Sequence, residues 1–590
     1  MKRASILLIA FVVACTSVIN EHGTVAGVVT DPSGTPLPGV TVTLHTTAGD
    51  RTMVTDARGA YKFTNVSDGN YRMQISLAGF GTRSVIVPVK DEKSPRLVTR
   101  LRNAVVESIT VTAQAPGAAG RMFAKAAMNL PAEPPPDTAK YAAIAENGFV
   151  DTAKERTTTF SIDVDGASYA NVRRFLNANL IPPPDAVRIE EMVNYFTYSY
   201  PPPSGGRPFS VTTEVAGCPW DAGHRLLRIG VQAKNLDAWK LAPNHLVFLL
   251  DVSGSMQPRE RLPLIKSAFR LLVDQLRAED SVSIVVYAGA AGMVLPPTSG
   301  ADKTAILAAL DNLQAGGSTA GGAGIELAYK TAQENFAAEA NNRVILATDG
   351  DFNVGTTSID DLTKLIEEKR KLGIYLTCIG VGTDNLNDAL MESLADKGNG
   401  NYYYLDSIGE AKKVFVQQLQ GTLVAVARDV KVQLEFDPAR VASYRQIGYE
   451  DRALANKDFE DDTKDAGELG AGHSVTALYE IVPRGGGAIA NLRLRYKDPG
   501  GEASQLITAP VTDDGKSIYA ASPDFQFAAA VAEFGMLLRN SKYKGTSSYA
   551  DVLALARAMR GSDLEGYREE FLRMVETSRA ITAPEGIARR

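Results

Sequence analysis

The apolar positions change period several times along the chain, and each change marks a new element. Up to about residue 113 the runs are short and alternating: Val25-Ala26-Gly27-Val28-Val29, Val40-Thr41-Val42-Thr43-Leu44 and Tyr71-Arg72-Met73-Gln74-Ile75. Turn-forming clusters such as Asp31-Pro32-Ser33-Gly34 and Asp68-Gly69-Asn70 separate them. Period-two runs bounded by turn residues predict a small antiparallel β-sandwich. Residues 114–148 keep no apolar period. They are rich in Ala and Pro, including Pro131-Ala132-Glu133-Pro134-Pro135-Pro136, and predict an extended, semi-stiff linker. From residue 149 the pattern is globular again. Phe160-Ser161-Ile162-Asp163-Val164-Asp165 reads as a strand ending in acids, 170–180 and 186–196 carry helical spacing, and 209–216 and 226–233 read as strands.

The centre of the chain, 244–425, alternates regularly. His245-Leu246-Val247-Phe248-Leu249-Leu250 is a solid apolar run, the mark of a strand buried on both faces. Helical spacing follows at Leu262, Ile265, Phe269, Leu272 and Leu276. Strands are expected at 281–287, 343–347, 374–380 and 402–405, with helices at 303–313, 325–336, 360–372 and 388–396 between them. Gly373 fits the residue after a helix end, and Ser407 with Glu410 makes a capping box for a last helix. This alternation predicts a doubly wound, Rossmann-like α/β domain with a parallel sheet covered on both faces. Strand patterns return at 430–436, 475–481 and 492–496, and the tail turns helical at 525–538, 549–559 and 564–578. Strands therefore flank the central domain on both sides, and the flanks are expected to pair into one β-rich domain with the central domain inserted. The expected fold class is multidomain α/β plus β, with a helical C-terminal region.

Length and composition agree with that layout. A chain of 590 residues holds about three to five domains by length alone. Net charge is −6, and no basic patch interleaves with aromatics, so no nucleic-acid partner is expected. No apolar run after the first fifteen residues is long enough to span a bilayer. Those first residues read as an export signal, with Lys2-Arg3 as the positive region and 6–13 as the apolar one. Val12-Val13-Ala14-Cys15 resembles the lipobox of bacterial lipoproteins, which implies lipidation of Cys15. Ordinary signal-peptidase cleavage after Ala14 is the alternative. Cys218 lies in a Gly-Cys-Pro turn and Cys378 in an apolar strand, and both are read as free thiols. Neither has a His near it in sequence, and no H-E-x-x-H, G-x-S-x-G or P-loop pattern occurs.

The candidate chemistry sits where strands hand over to helices. Asp251-Val252-Ser253-Gly254-Ser255 packs one carboxylate and two hydroxyls into five residues, directly after the buried run. All three are hard oxygen ligands of the kind Mg²⁺, Mn²⁺ and Ca²⁺ select. In an open parallel sheet, ligands bind outside the carboxyl ends of the strands, where this loop would lie. Two further segments are placed similarly: Gly316-Gly317-Ser318-Thr319 before a helix, and Ile345-Leu346-Ala347-Thr348-Asp349-Gly350 at a strand end. With these three segments the region resembles a von Willebrand factor type A domain, whose metal-ion-dependent adhesion site uses D-x-S-x-S, then a Thr, then an Asp. The resemblance implies a metal shell of Asp251, Ser253, Ser255, Thr319 and Asp349. It implies a divalent cation, Mg²⁺ before Mn²⁺ or Ca²⁺, with an open position for an Asp or Glu of a partner protein. That is binding and not catalysis. Asp163 and Asp165 form a second acidic pair, for which turn capping is the simpler reading.

Two further resemblances cover most of the remainder. G-x-V-x-D-x-x-G-x-P-L-P-G-V-x-V from Gly27, with D-x-x-G-x-Y-x-F at Asp56 to Phe63, resembles the carboxypeptidase regulatory-like domain. There Gly59 is expected in a turn that only glycine accepts cheaply, with Tyr61 and Phe63 in the core. Residues 149–578 resemble a family of bacterial envelope proteins that carry conserved domains on both sides of the adhesion-type domain. The expected layout is a signal at 1–15, a β-sandwich at 22–113, a linker at 114–148, a flanking domain at 149–243, the central domain at 244–425 and a second flank at 426–590. The function expected is a noncatalytic protein-binding module in the cell envelope, an outer-membrane lipoprotein facing periplasm or cell surface that meets membrane only through its N-terminal anchor. A hydrolase or envelope assembly factor working in the flanks around Asp163, Asp165 or His473 is the alternative. A third reading makes the metal structural, with no ligand completing it.

Overall fold

The computed structural model describes residues 22–30, 40–46, 49–56, 58–67, 69–76, 83–89, 97–100, 139–162, 165–237, 241–317, 321–350, 358–383 and 385–583. The chain divides into two compact units, Met1–Met128 and Asn129–Arg590. In the first, strands β1 (His22–Thr30), β2 (Thr41–Thr46), β3 (Gly49–Val54), β4 (Ala60–Ser67), β5 (Gly69–Ser76), β6 (Arg83–Val89) and β7 (Leu97–Arg100) form two sheets, in the orders β4-β1-β7 and β3-β2-β5-β6. Alternate residues of both sheets meet in one core of Val25, Val42, Leu44, Tyr61, Phe63, Met73 and Ile75 among others. Gly59 has φ +68° in the turn before β4, as its residue type requires. The sandwich departs from the antiparallel expectation at one edge, where β7 lies parallel to β1.

The second unit begins with residues 139–148, which the apolar pattern assigns to the linker. They run along the body: Lys140 N–H donates to the Leu386 carbonyl (2.8 Å) and Ile144 N–H to Asp185 Oδ1 (3.0 Å). Then come β8 (Val150–Asp151), β9 (Thr157–Ser161), α1 (Ala167–Asn177), α2 (Ile189–Asn194), β10 (Phe209–Gly217) and β11 (Arg225–Ala233). The central domain follows: β12 (Asn244–Asp251), α3 (Leu262–Gln275), β13 (Ser281–Tyr287), β14 (Ala291–Ser299), α4 (Lys303–Asp311), α5 (Gly321–Glu334), β15 (Asn341–Thr348), α6 (Ile359–Lys371), β16 (Ile374–Gly380), α7 (Asp388–Lys397), β17 (Tyr402–Tyr404), α8 (Ile408–Lys412) and, after a π-helical turn at Lys413–Gln417, α9 (Leu419–Leu423). The chain closes with β18 (Ala425–Phe436), β19 (Val441–Ile447), β20 (Ala453–Leu454), β21 (Leu469–Gly470), β22 (Ser474–Pro483), β23 (Gly487–Lys497), β24 (Ser504–Asp513), α10 (Pro523–Leu538), α11 (Tyr549–Ala558) and α12 (Tyr567–Thr582).

The flanks pair across the central domain. β11 runs antiparallel to β22 from Arg225↔Ile481 to Gln232↔Ser474, and β9 runs antiparallel to β18. The resulting sheets, β10-β11-β22-β19-β8 and β20-β9-β18-β23-β24, share a core that includes Phe160, Leu227, Ile229, Val432, Leu434, Tyr479 and Leu492. Helices α1, α2, α10, α11 and α12 enclose a separate core rich in Phe and Tyr. Its ring contacts include Phe196–Phe527 (4.9 Å between centroids) and stacked Tyr169–Tyr195 (3.7 Å).

The central sheet has the order β14-β13-β12-β15-β16-β17. Its strands are parallel except β14, which pairs antiparallel with β13 at one edge. The residues of β14 are mostly exposed and include Pro296 and Pro297, which suits an edge and hides the strand from a pattern of buried alternation. The uninterrupted apolar run of β12 serves both faces. Leu246, Phe248 and Leu250 join the core that includes α3 and α8, whereas Val247 and Leu249 join the one that includes α5 and α7. β12 leads on to β13 on one side, whereas its other neighbour, β15, leads on to β16 on the opposite side. That strand-order reversal opens a crevice at the carboxyl end of β12.

Both Cys218 and Cys378 are buried free thiols, and burial pushes both well above the ordinary thiol range. Among the described residues, no helix is long and apolar enough to cross a membrane. Cys15 and its surroundings lie outside the described residues.

Candidate functional site

The crevice is built from the ends of β12 and β15. Their parallel register sets Leu250 beside Ala347, so Asp251 and Thr348 emerge side by side, and Asp251 faces Tyr287 of β13 on its other flank. Asp251 is fully buried. Its Oδ1 accepts the Ser253 N–H (2.8 Å), and its Oδ2 accepts the hydroxyls of Thr348 (2.9 Å) and Tyr287 (3.3 Å). Burial raises its carboxyl above the ordinary aspartate value, opposed by the Ser253 and Thr348 hydrogen bonds and reinforced by Asp349.

The loop after β12 turns through a 3₁₀ turn at Gly254–Met256. This aims the two serines at each other, with Ser253 Oγ and Ser255 Oγ 3.0 Å apart. Adjacent ligands of an octahedral Mg²⁺, each at about 2.0–2.1 Å, are separated by about 2.9–3.0 Å. The two hydroxyls therefore stand at the spacing of one edge of such a shell, beside a buried carboxylate, and the donors are all oxygen. This set could hold a small hard cation. The glycine-rich segment comes to the same place: Gly254 N–H donates to the Gly317 carbonyl (3.0 Å) and Gly316 N–H to the Val252 carbonyl (2.8 Å). Thr319 itself lies outside the described residues. Asp349 follows β15, is fully buried, and its Oδ2 pairs with Arg261 Nη1 at 2.6 Å. Asp251, Ser253, Ser255 and Asp349 are thus brought to one strand-end crevice.

Three participants are not among the residues that the sequence singled out. Thr348 and Tyr287 terminate buried strands and read as core. Arg261 follows Arg259 and Glu260, a stretch that reads as a solvated turn, yet it is buried. Thr348 was open to detection: it is the polar residue next to Asp349 at the end of an otherwise apolar run.

The acids of the flank have other partners. Asp165 accepts the Tyr402 N–H (3.0 Å) and pairs with Arg452 (3.4 Å). Asp163 lies outside the described residues. His473 is held neutral by burial, its pKa lowered to about 4. Asp165, Asp396, Asp465, Glu468 and Arg343 line a cavity of about 90 Å³, where Thr422 supplies the hydroxyl. That hydroxyl is bonded to Tyr403 Oη (2.8 Å) and the Gln418 carbonyl (3.1 Å), not to a base.

Comparison with known proteins accounts for most of the chain. The model for the von Willebrand factor type A domain matches residues 245–418, and one described as von Willebrand factor matches 135–228. The model for the YfbK C-terminal region matches 421–489 and 486–581, and that for the carboxypeptidase regulatory-like domain matches 24–102. YfbK of Escherichia coli K12 is 43% identical over 475 residues, which cover 76% of this chain and 82% of YfbK. The sll0103 protein of Synechocystis is 27% identical over 344 residues, 56% of this chain and 78% of that one. A solved von Willebrand factor type A structure from Catenulispora acidiphila aligns at 19% identity and a TM-score of 0.37, covering 62% of this chain and 89% of that one. A domain of this type supports a protein-interaction module. With YfbK so similar over most of both chains, this protein belongs to the YfbK family.

Proposed function

We propose that this protein is a noncatalytic, envelope-tethered binding module that coordinates an acidic residue of a partner protein through a divalent cation. The observation that carries the reading is the buried Asp251 carboxylate beside the paired Ser253 and Ser255 hydroxyls at a strand-order reversal. Asp251, Ser253 and Ser255 would hold the ion, with Thr319 and Asp349 completing the shell, and Mg²⁺ suits so small and hydroxyl-rich a set better than Ca²⁺. The bound ion would supply an electrophilic position for a carboxylate. The chain's own part is orientation. Thr348, Tyr287 and the Ser253 amide fix the Asp251 carboxylate, and the 3₁₀ turn fixes the serines. Lipidation of Cys15 would tether the module, an idea supported by the basic, apolar and small-residue order of the first fifteen residues.

The test is a cross-linked pull-down from envelope extract, run with Mg²⁺, with chelator, and with Asp251→Ala. A partner captured only with metal and intact Asp251 is the expected result. A partner retained in all three arms would move binding to the β-rich flanks and leave any metal a structural role.

A further inference from the structure

Arg261 is a constructed part of the crevice. It stands immediately before α3, and its side chain is 6% exposed, too buried to serve as a surface charge. Nη1 donates to the Ser255 carbonyl (2.9 Å) and to Asp349 Oδ2 (2.6 Å). The guanidinium lies against Gly382, where φ is +89° and a Cβ would come within 2.7 Å of Arg261 Nε. The room for it exists because residue 382 has no side chain. One guanidinium thereby joins the loop after β12 to the end of β15, the two segments that carry the candidate ligands.

We propose that Arg261 is a built-in counter-cation: it assembles the ligand loops without metal, weakens cation binding, and leaves the loaded site positively charged toward an acidic partner. The inference rests on the metal-binding reading above. Asp251 and Asp349 bring two negative charges and Arg261 one positive, so these three side chains together carry one net negative charge. A divalent ion then leaves one net positive charge, where the two carboxylates alone would leave none. Attraction for the ion falls, because a fixed positive charge sits close by in a poorly screened place. Attraction for an incoming carboxylate rises for the same reason. Assembly without metal follows from the bridge itself, together with the Gly254–Gly317 and Gly316–Val252 hydrogen bonds.

The test measures Mn²⁺ binding to the purified full-length protein by electron paramagnetic resonance, for wild type, Arg261→Met and Arg261→Lys. Arg261→Met is expected to bind Mn²⁺ at least about tenfold more tightly than wild type, and Arg261→Lys to stay within about threefold of it, because charge is what matters. Equal or weaker binding by Arg261→Met, with wild type binding, overturns the inference alone. Failure of both to bind overturns the metal reading and this inference with it. Hydrogen exchange on wild type needs no variant. Segments 252–261 and 345–350 are expected to stay protected in chelator, with less than about a tenfold change on adding Mg²⁺. Free exchange in chelator with protection only in Mg²⁺ would overturn the assembly role.

Discussion

Arg188 tests how the central domain is held to its flank. It stands just before α2 with its side chain 3% exposed, and Nη1 reaches Asp388 Oδ2 at the start of α7 (2.6 Å) and Glu392 Oε2 one turn on (3.4 Å). Its Nε is bonded to Glu191. Asp388 is fully buried and also accepts Asn171 Nδ2 (3.2 Å) and the Tyr402 hydroxyl (3.0 Å). Burial pushes Glu392 up to about 7, and Arg188 is the strongest of the charges pulling it back down. Arg188→Met keeps much of the stem and removes the charge, so that the buried Asp388 and Glu191 both lose the guanidinium they bond. Breaking a buried pair in this way costs about 3–5 kcal/mol. With Asp388→Asn added, one stranded charge disappears, and roughly 2 kcal/mol should return as a coupling between the two sites. Urea unfolding followed by far-ultraviolet circular dichroism reads both values as midpoint shifts at constant slope. A loss below about 1 kcal/mol for Arg188→Met, or a double variant less stable than the single one, would refute the reasoning.

Two further outcomes follow from buried groups. Glu533 on α10 is 1% exposed, and burial raises its pKa from 4.5 to about 7. The folded state therefore holds its proton more tightly than the unfolded chain, so stability falls as pH rises from about 4.5 to about 7 and is level above that. Glu533→Gln should match wild type near pH 4 and exceed it at pH 8 by up to roughly 3 kcal/mol; a gap that does not change with pH would contradict this. Gly324 on α5 faces β13 so closely that a Cβ would lie 2.8 Å from Tyr287 Cβ. Gly324→Ala should cost about 1–3 kcal/mol by overpacking and, by displacing the Tyr287 hydroxyl from Asp251, weaken Mn²⁺ binding as well. An unchanged melting temperature with unchanged Mn²⁺ binding would show that the helix accommodates the methyl group.

Much of the central domain was legible because its signals are local. A continuous apolar run, an oxygen-rich loop and a helix in period 3.6 lie within the stretch from Asn244 to Gln275, and the structure shows β12, the 3₁₀ turn and α3 there. The Ser407 cap is equally local: its side chain accepts the Glu410 N–H three residues on. Strands β14, β19 and β24 had no comparable signal. β14 and β24 are edge strands, and β24 shows water an irregular face with Leu506 exposed. An edge strand is specified by the neighbour it pairs with, and its own side chains need not alternate.

The arrangement around the candidate ligands was decided by tertiary structure. Asp251, Ser253 and Ser255 are neighbours in the chain, but Thr348 lies 97 residues from the carboxylate it bonds, and Arg261 lies 88 residues from Asp349. Arg188 meets Asp388 across 200 residues. Period, capping and turn chemistry act over a few residues, so a chain carries them openly. Which charge is buried against which depends on sheet order, on the register of β12 with β15, and on a side chain left off at Gly382. None of these exists before the chain has folded.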